Sequence, residues 1–157
     1  MKNRGRSLLC WTMVLLASVA VTAPMAHVLE LPNKLGLDGP SWLMIQQRLY
    51  RGWGSVFGPV DIAAIAVGLA IAWIVRHDRL ALRSIVVAVG IYAAMVAVFF
   101  IFNAPVNEAF SGWTAATMPD DWTRYRTQWE TGHALTALLS LAALVFVIRA
   151  CTRVRSS

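Results

Sequence analysis

The chain has 157 residues, 58% of them hydrophobic and 14% charged, with a net charge of +6 and a mean hydropathy of +0.60. An ordinary soluble domain is about one quarter charged. Disorder, a coiled coil and a disulfide-stapled secreted module are therefore excluded, and a single-domain integral membrane protein remains.

A bilayer core about 30 Å thick requires about 20 apolar residues in a helix. The first predicted span covers residues 8–29, and it carries no charge. Lys2, Arg4 and Arg6 before it could begin a signal peptide, but Pro24 follows Ala23 and stands where a small residue is wanted before Ala26. An uncleaved first helix is expected. The outer connection 30–56 opens with the turn-rich stretch Pro32 to Pro40 and then places Trp42, Ile45, Leu49 and Trp53 at helical spacing, with Gln46 and Tyr50 as an adjacent i, i+4 pair. That pattern predicts an amphipathic helix in the outer interface, its tryptophans at headgroup level.

The second span, 57–75, is broken only by Asp61, and Ala64, Gly68 and Ala72 form a row of small residues suited to helix packing. The third, 84–103, offers Gly90 with Ala94 and Ala93 with Ala97 for the same purpose, and Pro105 predicts that it ends or kinks there. After the outer connection 104–129, Asp120 or Asp121 predicts the start of a helix carrying Trp122, Tyr125 and Trp129 straight into the fourth span, 130–148. Ala137, Ser140 and Ala143 are its small residues. The expected fold is all-α, an antiparallel four-helix bundle capped on its outer face by two amphipathic helices.

Lys2, Arg4, Arg6, Arg76, Arg79, Arg83, Arg149, Arg153 and Arg155 fall on one side with Asp78, giving +8, and the opposite side carries −2. The positive-inside rule places both termini in the cytoplasm of a cell (inner) membrane protein. The basic balance is thus a topology signal, and nucleic acid drops out as a partner. Cys10 and Cys151 fall near the reducing face, where no disulfide is expected.

Polar groups inside a bilayer are costly and count as functional candidates. Counting back along each helix puts Asp61 roughly 8 Å and His133 roughly 6 Å below the outer boundary. His27 and Asn103 come at the boundary, with Glu30 and Asn107 just above it. All four helices thus bring a titratable or amide group to one depth, as an outward-opening pocket requires. Each also has a plainer reading: Asp61 as a helix cap, His27 and Glu30 as solvated interface residues, the asparagines as partners for backbone freed by Pro105, the tryptophans as an aromatic belt. His133 is hardest to explain that way, because imidazole titrates near neutral pH and the apolar run that follows it, 134–148, carries no charge.

As a set, the His27-Val-Leu-Glu30-Leu-Pro end, the Gln46 to Tyr50 segment, Asn103-Ala-Pro105-Val-Asn107-Glu108, Trp113, Asp121-Trp122 and Trp129-x-x-x-His133 resemble the anthrone oxygenase-like (DUF1772) family. Many of its members carry an arginine shortly after the last histidine, where this chain has Ala134, Leu135 and Thr136. The resemblance implies a four-span membrane protein, some of whose relatives oxidise polycyclic anthrones to anthraquinones with O₂ as co-substrate and no evident cofactor. In that scheme His133 is the base, oriented by Asp61 or Glu30 with His27 nearby. Asn103 and Asn107 donate to the oxyanion, and Trp113, Trp129 and Tyr50, beside Gln46, form the walls around a lipophilic aromatic substrate. Two alternatives stand beside it. One is a metal-binding oxidoreductase using His27, Glu30 and His133; the other is a non-catalytic protein that binds a lipid or partner. The oligomeric state is open.

Overall fold

The computed structural model describes the backbone of residues 2–156 and the side chains of 4–154, so the side chains of Lys2 and Arg155 in the charge tally lie outside the described part. The chain forms α1 (Lys2–Leu35), α2 (Gly39–Arg48), α3 (Trp53–Ile74), α4 (Arg79–Val98), a π-helical turn (Phe99–Asn103), α5 (Ala104–Ser111) and α6 (Trp122–Ser156). Four stretches, Arg4–Leu35, Trp53–Ile74, Arg79–Ser111 and Trp122–Val154, are long and apolar enough to cross a membrane. They pack in the cyclic order α1, α3, α4, α6. Cys151 approaches Cys10 while His133 approaches His27, so α1 and α6 run antiparallel.

Local chemistry sets the boundaries. Asp38 caps α2 by accepting from the Ser41 N–H at 2.9 Å, with Pro40 in the first turn. Asp78 caps α4 through the N–H groups of Leu80 and Ala81. Gly52, at φ 85°, makes the left-handed turn into α3 that a side chain would oppose.

Several sequence expectations shift. α1 continues through Pro32 to Leu35, so the connection opens at Gly36 rather than residue 30. Arg126 reaches the carbonyls of Lys34, Leu35 and Leu37 at 3.4–3.5 Å, satisfying the end of that longer helix. The third span does not end at Pro105. Its backbone widens into the π turn, and the Ile101 and Phe102 carbonyls accept from the Gln128 side chain, so the chain stays helical to Ser111. α6 is one continuous helix of 35 residues, as the Trp122 to Trp129 pattern predicted.

Two packing expectations are corrected. In α2 the buried face is Gly39, Trp42, Leu43 and Gln46, while Leu49 is exposed. Trp42 is fully withdrawn from the surface against Val106, Phe110 and Trp129, so it is core and not a headgroup anchor. In α4 the small residues Gly90, Ala93, Ala94 and Ala97 are all exposed, and Ala81, Ser84, Ile85, Ala88, Tyr92 and Met95 face the bundle instead. Ala64, Gly68, Ala137, Ser140 and Ala143 pack as expected.

Candidate functional site

At the end of the bundle away from the termini the helices carry polar groups inward. His27 on α1 is 2% exposed, and its ring faces that of His133 on α6 with centroids 4.0 Å apart. Trp129 stands edge-on to both, at 4.7 and 4.1 Å. Tyr50 and Trp53 close the box around His27 at 4.5 and 5.4 Å. Aromatic edges and faces at these separations attract one another, so packing holds both imidazoles.

Behind this box lies a charged core absent from the predicted site. Lys34, one helical turn beyond Glu30, is 3% exposed, and its ammonium lies 3.0 and 3.1 Å from the two oxygens of Glu130. It also lies 3.3 Å from His27 Nδ1, 3.9 Å from a Glu30 oxygen and over the faces of Tyr50 and Trp129. An ammonium has donors only, so in this pair His27 Nδ1 accepts and the ring carries its proton on Nε2. Glu30 accepts from the Tyr50 hydroxyl. Burial, and after it this bond, push the Tyr50 phenol above its ordinary range, so it stays a donor at neutral pH.

Asn103 and Asn107 serve Trp129 from opposite sides. Asn103 Nδ2 donates to the Trp129 carbonyl at 3.0 Å, and Asn107 Oδ1 accepts from the indole N–H at 2.9 Å. The π turn and Pro105 between them bring both amides to the same residue of α6. Gly132 makes the approach possible, since a Cβ there would lie 2.7 Å from Phe102 Cβ.

A cavity of about 1300 Å³ opens beside this cluster. His27, Gln46, Tyr50, Asn103, Asn107, Trp113, Trp129 and His133 line it, with Asp61 on the facing helix α3. The sequence-predicted residues therefore share one space, except Glu30, which stands behind Tyr50. Three details differ from expectation. Asp61 is no helix cap, because α3 already starts at Trp53. His133 has no carboxylate holding it: Glu30 is taken by Tyr50 and no bond joins Asp61 to the ring. Trp113 packs edge-on against Tyr125 at 5.0 Å, at the outer margin of the cavity. For the metal alternative, no group of three or more His, Cys, Asp or Glu side chains among the described residues is arranged to hold an ion. The Lys34 ammonium stands at His27 Nδ1, where a cation would have to compete with it.

Lys34 and Glu130 escaped the sequence reading because each looks like a solvated charge by itself, and they are 96 residues apart. A signal existed: Lys34 lies one and two turns after Glu30 and His27 on one helical face. No family model, no curated protein and no solved structure matches the chain.

Proposed function

We propose that the chain is a multi-pass cell-membrane protein with both termini cytoplasmic, whose outward cavity binds a lipophilic aromatic compound and abstracts a proton from it. Arginines gathered at the terminal end and in the α3–α4 turn support that orientation. The observation that carries the chemistry is the close, tilted pair of imidazoles His27 and His133, inside an aromatic box at the wall of a large cavity.

The two rings divide the work. His27, with Nδ1 engaged by Lys34, offers an Nε2–H to a developing oxyanion. His133, which makes no hydrogen bond among the described residues, is the base. Trp129 and Tyr50 supply flat apolar walls. An anthrone, the substrate class that the family resemblance implies, suits such a site. His133 takes a proton from the ring methylene, leaving a carbanion delocalised as the enolate. The carbanion's electron pair forms a C–O bond to O₂, and the resulting peroxide takes the proton back. Removal of the second C–H proton then forms the carbonyl, breaks the O–O bond and releases water. One anthrone and one O₂ thus give one anthraquinone and one water.

The test is O₂ uptake and quinone absorbance with a panel of anthrones and hydroquinones, using protein in lipid nanodiscs. Wild type is expected to turn over at least one of them, and His133→Ala to lower that rate about 100-fold or more. An unchanged rate in His133→Ala, or no turnover by wild type, overturns the reading.

A further inference from the structure

Gln46 has no task in proton transfer at the histidines. It is 3% exposed and lines the cavity, and neither its amide oxygen nor its amide nitrogen has a hydrogen-bond partner. Its neighbour Gln47 spends its amide on the Phe110 and Trp113 carbonyls at 2.7 and 2.9 Å. Buried amides without partners are uncommon because desolvation is costly. A ligand oxygen in the cavity would relieve that cost.

The cavity also has an open side. α3 has no buried residue before Ala64: Trp53 reaches His27 and Val60 packs on the core, but Val56, Gly58 and Ile62 stay exposed, and further along α3 packs closely on α4 at Gly68 and Val89. The gap is walled by Phe57 and Ile62 of α3 and by Val96, Phe99 and Phe100 across it. Ile62 and Phe100 are 57% and 65% exposed, on helices that carry the apolar spans. An opening between two such helices meets acyl chains and not water.

We propose that the cavity's ligand is an aromatic amphiphile: a quinone or hydroquinone ring whose oxygens pair with Gln46, bearing an apolar tail that leaves between α3 and α4 into the lipid. This rests on the cavity being the small-molecule site proposed above, and adds the tail, its lateral doorway and Gln46 as the ring-binding residue. An amide offers both a donor and an acceptor, so Gln46 holds a carbonyl or a hydroxyl equally well.

The experiment measures ligand retained by protein-containing nanodiscs over empty discs of the same lipid, with concentrations expressed per lipid. The probes are decylubiquinone and its tail-free ring, 2,3-dimethoxy-5-methylbenzoquinone. Both are expected to saturate with affinities within about threefold, since the tail stays in lipid either way. Gln46→Leu is expected to weaken both about tenfold, as loss of a ring hydrogen bond would. Ile62→Trp, in the doorway, is expected to weaken only the tailed probe. The proposal is overturned if no saturable excess over empty discs is found, if wild type excludes the tailed probe, if Gln46→Leu binds as wild type, or if Ile62→Trp leaves the tailed probe unaffected. The wild-type comparison needs no variant to fold. Binding of the tailed probe without anthrone turnover would leave this site standing and remove the oxygenase reading; turnover without that binding would do the reverse.

Discussion

The two ends of the bundle join the same helices by different physics. Toward the termini, Met13, Ala17, Ile71, Ile85, Ala143 and Val147 pack with little or no exposure, and small residues bring the backbones together. Toward the other end the joints are polar: Lys34 to Glu130 between α1 and α6, and Asn103 and Gln128 between the π turn and α6. Among the described residues no hydrogen bond joins α3 to another helix, and α3 has no buried residue at that end. In lipid, helices gain little from hydrophobic association. A span that has small-residue contacts at one end and no polar joint at the other is therefore free to leave a cavity where the contacts stop.

The sharpest way to break this contrast is to remove the polar joint. Lys34→Met leaves Glu130 buried and unpaired, and about 3–5 kcal/mol of stability should go. Adding Glu130→Leu should return most of it in reversible unfolding in detergent micelles. If the double variant is as unstable as the single one, charge pairing is not what holds this end.

Next in size is the close approach at the π turn. Gly132→Ala drives a Cβ to 2.7 Å from Phe102 Cβ, an overpacking expected to cost about 1–3 kcal/mol. Gly68→Ala places its Cβ 2.5 Å from Val89 Cγ2, and a β-branched side chain on a helix has little rotamer freedom to move away, so a similar cost is expected. Gly58→Ala, at an exposed position of α3, meets nothing within 4 Å and should change stability by less than about 1 kcal/mol, in the stabilising direction. Melting of the three variants side by side checks the order. A Gly58 variant as damaging as Gly132→Ala would mean that α3 is packed along its whole length.

The smallest effect lies outside the spans. The hydrogen bond from Ser41 holds the Asp38 carboxyl below its ordinary range. A lowered folded-state pKa contributes stability above the unfolded value of about 4, and loses it as pH falls through the folded value. Asp38→Ala should therefore lower the melting temperature slightly at neutral pH and narrow its gap to wild type as pH drops below about 4. An unchanged gap across that window would mean the cap does not act through its charge.

Much of the site was legible because depth along an apolar helix is a matter of counting. His27, Asp61, Asn103 and His133 were assigned to one level by their distance from the spans' ends, and they line one cavity. Which way a helix turns its faces was not legible. Gly90, Ala93, Ala94 and Ala97 look like a packing surface in the sequence and lie exposed on α4. α2 buries Trp42, Leu43 and Gln46 rather than the stripe through Leu49. In an apolar span nearly every face is hydrophobic, so periodicity has little contrast from which to choose one.

The sequence by itself determined the four helices long and apolar enough to cross a membrane, the uneven distribution of arginines and the crowding of polar residues at one level, because length, charge and hydropathy act locally along a chain. Only the tertiary structure decided that Lys34 is buried against Glu130, that its ammonium fixes the His27 tautomer, and that Gln46 lines the cavity with its amide unpartnered. Those outcomes depend on which side chains meet across helices, and a buried charge or amide is defined by the partner it finds or lacks.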